Sequence, residues 1–381
     1  MKGAFDVAID PHLLKIALVM KAVRYLIVAA TFLVFSLNAA EPVKSPVLII
    51  GVDAPLTGNE ANVGEESMKG ITLALEEFKG KNPVGLKFIY EDNELQNRQT
   101  NSAALKLIQF NHVDGLITVW TDAAYIVAPI AEKYQVIHFN TGWDTGPSSN
   151  KWTLVCGGDL REFARQSVEI MKHYKVKRLA ITGVVESGVI NVIKAAQPYF
   201  KEAGITVVFD EPYTPGTRDF RTYVLKLRET KPDFAWNLNH APEDEILFKA
   251  EAELGINIPS SGFYFYNSPE LYRHVEGAVF PRIAATSDFD RKFEVRFGRK
   301  PKLIEAAYCY DMTYIFSDAV NNLYAKLGRM PTRAELLSEM KRPRPLPNLA
   351  EGSGKISLPG YVDVPYVLRQ IRNGQQVPWS F

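Results

Sequence analysis

Residues Leu48-Ile-Ile-Gly-Val-Asp-Ala-Pro-Leu-Thr-Gly58, then Val63-Gly64 and Met68-Lys69-Gly70-Ile-Thr-Leu-Ala-Leu-Glu-Glu-Phe78, decide the fold of this chain. A short apolar run bounded by Pro and Gly reads as a buried strand entering a loop. Met68, Ile71, Leu75 and Phe78 then recur at helical spacing, so the loop opens into a helix over 65–79. The unit is strand, loop, helix, and the next segments of the chain repeat it. Strands are expected at 47–52, 86–90, 115–119 and 136–139, with helices at 100–111 and 123–134 between them. A second series runs through helix 161–174, strand 178–182, helix 190–203, strand 206–210, helix 220–229, strand 234–238, helix 243–254 and strand 262–266. Alternation of this kind predicts parallel sheets covered by helices on both faces. The same order in both halves predicts an α/β protein of two doubly wound lobes.

Towards the end, long helices are expected over 306–327 and 332–341. Arg342-Pro-Arg-Pro-Leu-Pro-Asn348 cannot be helical, because three prolines interrupt it. The segments 354–358 and 366–371 read as the two strands of a terminal hairpin.

Residues 1–40 have the order of an export signal rather than of a fold. Lys21 and Arg24 precede an apolar run over 25–37, and Ser36, Ala39 and Ala40 supply small residues before Glu41-Pro42. The run is short for a membrane span, so a retained anchor ranks second. Cleavage is expected after Ala40, and Met20 is a natural start for such a signal. No Cys follows the run, which argues against a lipoprotein anchor. The remaining chain, about 340 residues, suffices for two packed domains. A net charge of +1 carries no footprint for nucleic acid. Cys156 and Cys309 are expected as buried free thiols, although an exported protein is able to oxidise them.

Several ordered segments together resemble the leucine/isoleucine/valine-binding family of type I periplasmic solute-binding proteins. The opening stretch is one. Tyr90-Glu-Asp-Asn-Glu-Leu-Gln96, Val113-Asp-Gly-Leu-Ile117, Ala128-Pro-Ile-Ala-Glu-Lys133 and Val136-Ile-His-Phe-Asn-Thr-Gly142 come next in the first half. Phe200-Lys-Glu-Ala-Gly-Ile-Thr-Val-Val208, Thr217-Arg-Asp-Phe220 and Glu253-Leu-Gly-Ile256 lie in the second, and Ala307-Tyr-Cys-Tyr-Asp311 near the end. The resemblance implies two lobes joined by a three-strand hinge, with a small ligand held between them. It places lobe one at 46–157 plus 285–354 and lobe two at 158–284 plus 355–381. It further implies a monomer in the periplasm that delivers its ligand to an inner-membrane ABC-type permease, without stable membrane insertion after signal removal. A periplasmic sensor docking on a receptor shares this fold. An exported enzyme is less supported, since no nucleophile–base pair, phosphate loop or metal-ligand spacing is visible and no cofactor is expected.

Ligands of open parallel sheets bind outside the carboxyl ends of the strands. That rule selects the loops 54–64, 120–123, 140–145, 184–188, 237–242 and 264–268. By the family's pattern, Thr121, Gly142 and Asp144 stand where a ligand carboxylate is gripped. Thr121 keeps the hydroxyl and Gly142 the backbone access. Asp144 departs from the pattern, because a carboxylate there repels another unless it is protonated or paired. Tyr264 stands where the family places an acid for the ligand ammonium, and Asn239-His240-Ala241 replaces an aromatic. Trp120, Trp143, Tyr264 and Tyr266 make the selected loops aromatic, and His240 is a candidate contact. Each aromatic is about as apt to fill the core as to face a ligand. The expected ligand is a small amphipathic, aromatic or amino-acid-like molecule, cationic or neutral, held near Asp144. His138, mid-strand, is expected to be buried rather than catalytic.

Overall fold

The computed structural model describes residues 45–240, 242–263, 268–349, 354–357 and 361–381. The expected signal lies outside these residues. Among those described, no helix is long and apolar enough to cross a membrane.

The first series is β1 (Val47–Ala54), α1 (Ala61–Phe78), β2 (Gly85–Asp92), α2 (Asn97–Gln109), β3 (Gly115–Thr118), α3 (Thr121–Tyr134), β4 (Ile137–Asn140) and β5 (Thr153–Val155). The second is α4 (Leu160–His173), β6 (Arg178–Val184), α5 (Ser187–Ala203), β7 (Thr206–Tyr213), α6 (Arg221–Glu229), β8 (Phe234–Leu238), α7 (Glu243–Glu253), β9 (Ser260–Gly262) and the short α8 (Pro269–Tyr272). The chain ends with β10 (Val279–Arg282), α9 (Ser287–Phe297), α10 (Glu305–Leu327), α11 (Arg333–Met340), β11 (Lys355–Ser357), β12 (Tyr361–Asp363), β13 (Val367–Arg372) and β14 (Gln375–Pro378).

These strands make three sheets. The first has the order β11-β12-β5-β4-β3-β1-β2, the second β7-β6-β8-β9 and the third β10-β13-β14. Within the first, β1 to β5 pair in parallel, and the second is parallel throughout. The chain leaves the first sheet after Val155, returns to its side after Arg282 and leaves again after Asp363. Those are the three connections that the family resemblance implies for a two-lobed architecture.

The C-terminal strands correct the expectation. Lys355–Ser357 and Tyr361–Asp363 pair with each other and join the first sheet, with Tyr361 opposite Val155, instead of belonging wholly to the second lobe. Val367–Arg372 pairs with Gln375–Pro378 and with β10. The expected single hairpin is therefore two hairpins in different sheets. β5 carries no independent signal in the sequence, because three residues are too few for a period to show. The strand expected at 262–266 ends at Gly262, and Tyr264 to Tyr266 lie outside the described residues. Cys156 and Cys309 are buried free thiols.

Packing of α1 on α10 anchors the first lobe. A Cβ on Gly70 would sit 2.0 Å from the Ala306 carbonyl oxygen, so the two backbones touch only because residue 70 has no side chain. Tyr310 of α10 donates to Glu77 of α1, and Arg296 of α9 grips Glu76 at 2.6 Å. Gly70→Ala should therefore force the helices apart and cost about 1–3 kcal/mol. Gly85→Ala, where the nearest neighbouring atom would stand 3.8 Å away, should change stability by no more than about 0.5 kcal/mol. Urea midpoints at unchanged slope measure both.

Candidate ligand-binding cleft

The cleft starts at the turn between β3 and α3. Trp120 adopts φ 67° and ψ 164°, a backbone conformation that residues with side chains rarely take and that costs about 1–3 kcal/mol. Its surroundings hold it there. Trp120 N donates to Thr141 Oγ1 (3.1 Å), and Trp120 O accepts from Asn140 Nδ2 (2.9 Å). The indole Nε1 donates to Glu305 Oε1 at 3.3 Å. This kink begins α3 at Thr121, whose Oγ1 is buried and has no hydrogen-bond partner among the described residues.

Around that first turn lies a cavity of about 90 Å³. Trp120, Thr121, Gly142, Trp143 and His240 line it. Gly142 differs in detail, because its N–H already donates to Asn140 Oδ1 and its carbonyl accepts from Gly157 N. Thr121 therefore carries the free polar group on this side. Glu186, Phe263, Glu305, Tyr308 and Tyr366 also line it.

Asp144 is a correction. It does not line the cavity. Its carboxylate accepts from Tyr125 Oη and from Asn191 Nδ2, both at 2.7 Å, and from Gly146 N at 3.0 Å. Tyr125 lies on α3 and Asn191 on α5, so Asp144 ties the two sides of the cleft together and is spent before any ligand arrives. Asp122, in the first turn of α3, likewise accepts from Ser187 at the start of α5. At the same seam a Cβ on Gly188 would lie 2.7 Å from Trp143 Nε1 and 3.4 Å from Thr121 Oγ1. Only glycine lets α5 approach this closely. Tyr264 and Tyr266 are outside the described residues. Of the other aromatics, Tyr308 reaches the cavity, while Trp236 is buried in the core against Phe163.

His240 is the electrostatic centre. Its ring stacks on Trp120 (centroids 5.0 Å, 25°) and on Phe263 (5.8 Å, 30°). Its Nε2 meets Glu186 Oε2 at 2.8 Å. Burial alone would push the imidazole down. The charge and hydrogen bond of Glu186, with the charges of Glu60 and Asp244, outweigh that and raise it to about 9. Burial lifts the Glu60 carboxyl to about 7 against the opposing pull of His240, and burial also raises Glu305. The cavity thus has apolar walls, an internally neutralised imidazolium–carboxylate pair and a carboxyl biased towards its neutral form. Glu305 has no sequence signal, since it sits far along the chain at the start of a long apolar helix, whereas Tyr308 is placed near the selected loops by register. Phe263 lies one residue before the selected loop.

Comparisons with known proteins bear on the family and the fold. Residues 48–357 match the family model described as periplasmic binding protein. The chain is 29% identical over 232 residues to the Leu/Ile/Val-binding protein BraC3 of Rhizobium johnstonii, covering 58% of this chain and 62% of that one, which is under two thirds of the relative's length. It is 25% identical over 276 residues to the Leu/Ile/Val-binding protein homolog 7 of Brucella suis, covering 68% and 69%. Among solved structures, the leucine-binding protein LivK of Thermotoga maritima aligns with a TM-score of 0.75 at 22% identity, covering 87% of this chain and 98% of that one. A solute-binding protein of Rhodopseudomonas palustris in complex with 3,4-dihydroxybenzoic acid aligns with a TM-score of 0.78 at 16% identity, covering 88% and 96%. At these identities the structural matches bear on the fold alone.

The His240 pair has a pH signature. The folded-state value of about 9 lies above the ordinary 6.5, so its stabilisation is complete below about pH 6.5 and is lost as pH rises through 9. Glu60 and Asp244, both raised to about 7, have already titrated by then. Melting temperature should fall between about pH 7 and 9, and His240→Gln should flatten that limb. An unchanged slope in the variant would assign the fall to other groups.

Proposed function

The chain belongs to the periplasmic binding protein family, and on that premise we propose that it is a periplasmic receptor for a small amphipathic carboxylate, amino-acid-like or aromatic, which it delivers to an inner-membrane ABC-type importer. Members of this family bind solutes, and capture of this kind needs no catalytic group. One observation carries the choice of ligand. Thr121 Oγ1 is buried without a partner at the N-terminus of α3, where helix N–H groups favour an anion. Trp120, Trp143, Phe263 and Tyr308 then offer faces to an apolar body. The carboxyl of Glu305, or Glu186 on its His240, faces an amine or hydroxyl on the far end of the ligand.

The names of the relatives support an acid of this size: Leu/Ile/Val-binding proteins on one side, a dihydroxybenzoate complex on the other. This replaces the cationic or neutral ligand centred on Asp144, because Asp144 is consumed by Tyr125 and Asn191. A cavity of about 90 Å³ is smaller than the ~150 Å³ that accommodates benzene. Ligand entry therefore requires the two sides to part and close again about the hinge.

Thermal unfolding of residues 41–381 tests the reading, using branched aliphatic amino acids and hydroxybenzoates paired with their neutral amides. A ligand that binds only the folded state raises the melting temperature by mass action. The acids should raise it and the amides should not. Thr121→Val removes a hydrogen bond to a charged group, about 1.5 kcal/mol, and should weaken the acid roughly tenfold. Amides as effective as the acids, or an unaffected Thr121→Val, would overturn the carboxylate assignment.

A further inference from the structure

A second cavity, about 470 Å³, lies between the third sheet and the helices α9 and α10. Its chemistry is unlike that of the cleft. Arg282, Lys300 and Arg369 contribute three cations to its lining, against the single carboxylate of Asp290. Arg282 is the unusual member. It is only 9% exposed, yet it makes no ion pair among the described residues. Its guanidinium donates through Nε to the Ile283 carbonyl (3.4 Å) and through Nη1 to Gln376 Oε1. Both hydrogen-bonded acceptors are neutral, and the Asp290 carboxylate acts on the guanidinium through space without forming an ion pair, which leaves a buried cation incompletely compensated. Burial pulls this guanidinium below its ordinary value, and the nearby charge of Arg369 acts in the same direction.

The other cations face the same volume. Arg282 is opposite Val367 in the antiparallel ladder, and Arg369 lies two residues further on. Alternation along a strand puts positions 367 and 369 on one face of the sheet. Lys300, on the loop after α9, is exposed and also makes no ion pair among the described residues. Burial raises the Asp290 carboxyl, while Arg282 and Lys300 lower it. Cations therefore outnumber carboxylates among the lining residues. A planar guanidinium recognises carboxylate and phosphate oxygens in bidentate fashion, and Gln375 and Gln376 add neutral polar groups.

We propose that this cavity is a second, separate binding site for a small solute bearing an oxyanion group, a phosphate or a carboxylate, held by Arg282 and Lys300 with Arg369 beside them. The occupant adds to the counter-charge that Arg282 draws from Asp290. The cavity shares Leu303 and Ile304 as a wall with the ligand cleft, so the two sites must be told apart by experiment.

Calorimetric titration of residues 41–381 with inorganic phosphate, glycerol 3-phosphate and succinate, at ionic strength held constant with chloride, makes the test. Saturable binding of at least one is expected. The pattern across the three separates an inorganic, an organic phosphate and a carboxylate occupant. The double substitution Lys300→Gln with Arg369→Gln should raise the dissociation constant at least tenfold. Arg282→Met should abolish binding where it folds, and the double variant on the exposed side decides the matter where it does not. Thr121→Val should leave the titration unchanged. No saturable binding of any of the three, equal affinity in the double variant, or loss of binding in Thr121→Val would each overturn the proposal.

Discussion

Asn140 is the side chain that holds the cleft in shape. Its Nδ2 donates both to Thr118 Oγ1 (2.6 Å) and to the Trp120 carbonyl (2.9 Å), and its Oδ1 accepts from Gly142 N. One buried amide thus fixes the ends of two neighbouring strands and both loops that leave them. The chain of contacts continues inward. His138 Nε2 meets Thr118 Oγ1 at 2.7 Å, and Nδ1 meets Thr153 Oγ1 at 3.2 Å. Burial drives His138 down to about 3, so it stays neutral and acts as a link between β3, β4 and β5. A satisfied network in a low-dielectric interior is rigid, and a half-satisfied one is costly. This rigidity is what sustains the strained backbone of Trp120.

The geometry of the site radiates from that fixed turn. Trp120 hands its indole N–H to Glu305 and its ring face to His240. The first turn of α3 presents Thr121 inward and Asp122 across the seam to Ser187. Asp144, reaching Asn191, makes a second tie a few residues away. Polar groups of the binding loops therefore divide into those that close the cleft and those that face its contents. A carboxylate with three donors belongs to the first class, and a buried hydroxyl with none belongs to the second.

The two cavities contrast in how they balance charge. In the cleft, Glu186 neutralises His240 internally, and burial biases Glu305 towards its neutral form. The walls are largely aromatic, so the site discriminates by shape and by one anionic grip. In the second cavity the cations outnumber the acid, and the most buried of them has only neutral acceptors.

Local periodicity and turn chemistry are written along the chain, and they suffice for the alternation of strands and helices, the two-lobed α/β class, and the loops at the carboxyl ends of the strands. Trp120, Thr121, Gly142, Trp143 and His240 were legible for that reason, as was the burial of His138. Which polar group meets which was settled only by folding in three dimensions. Asp144 looked available until Asn191, forty-seven positions away, claimed it. Glu305 and Tyr308 entered the site because α10 packs flush on α1 at Gly70. The strand at 355–357 was recognisable from its residues, yet its sheet was not. Sheet membership depends on which edge is open, and Val155 of the first sheet offered one to Tyr361 of the neighbouring strand. A backbone edge, like a buried carboxylate, chooses its partner by proximity in space, and the linear order of residues does not encode that proximity.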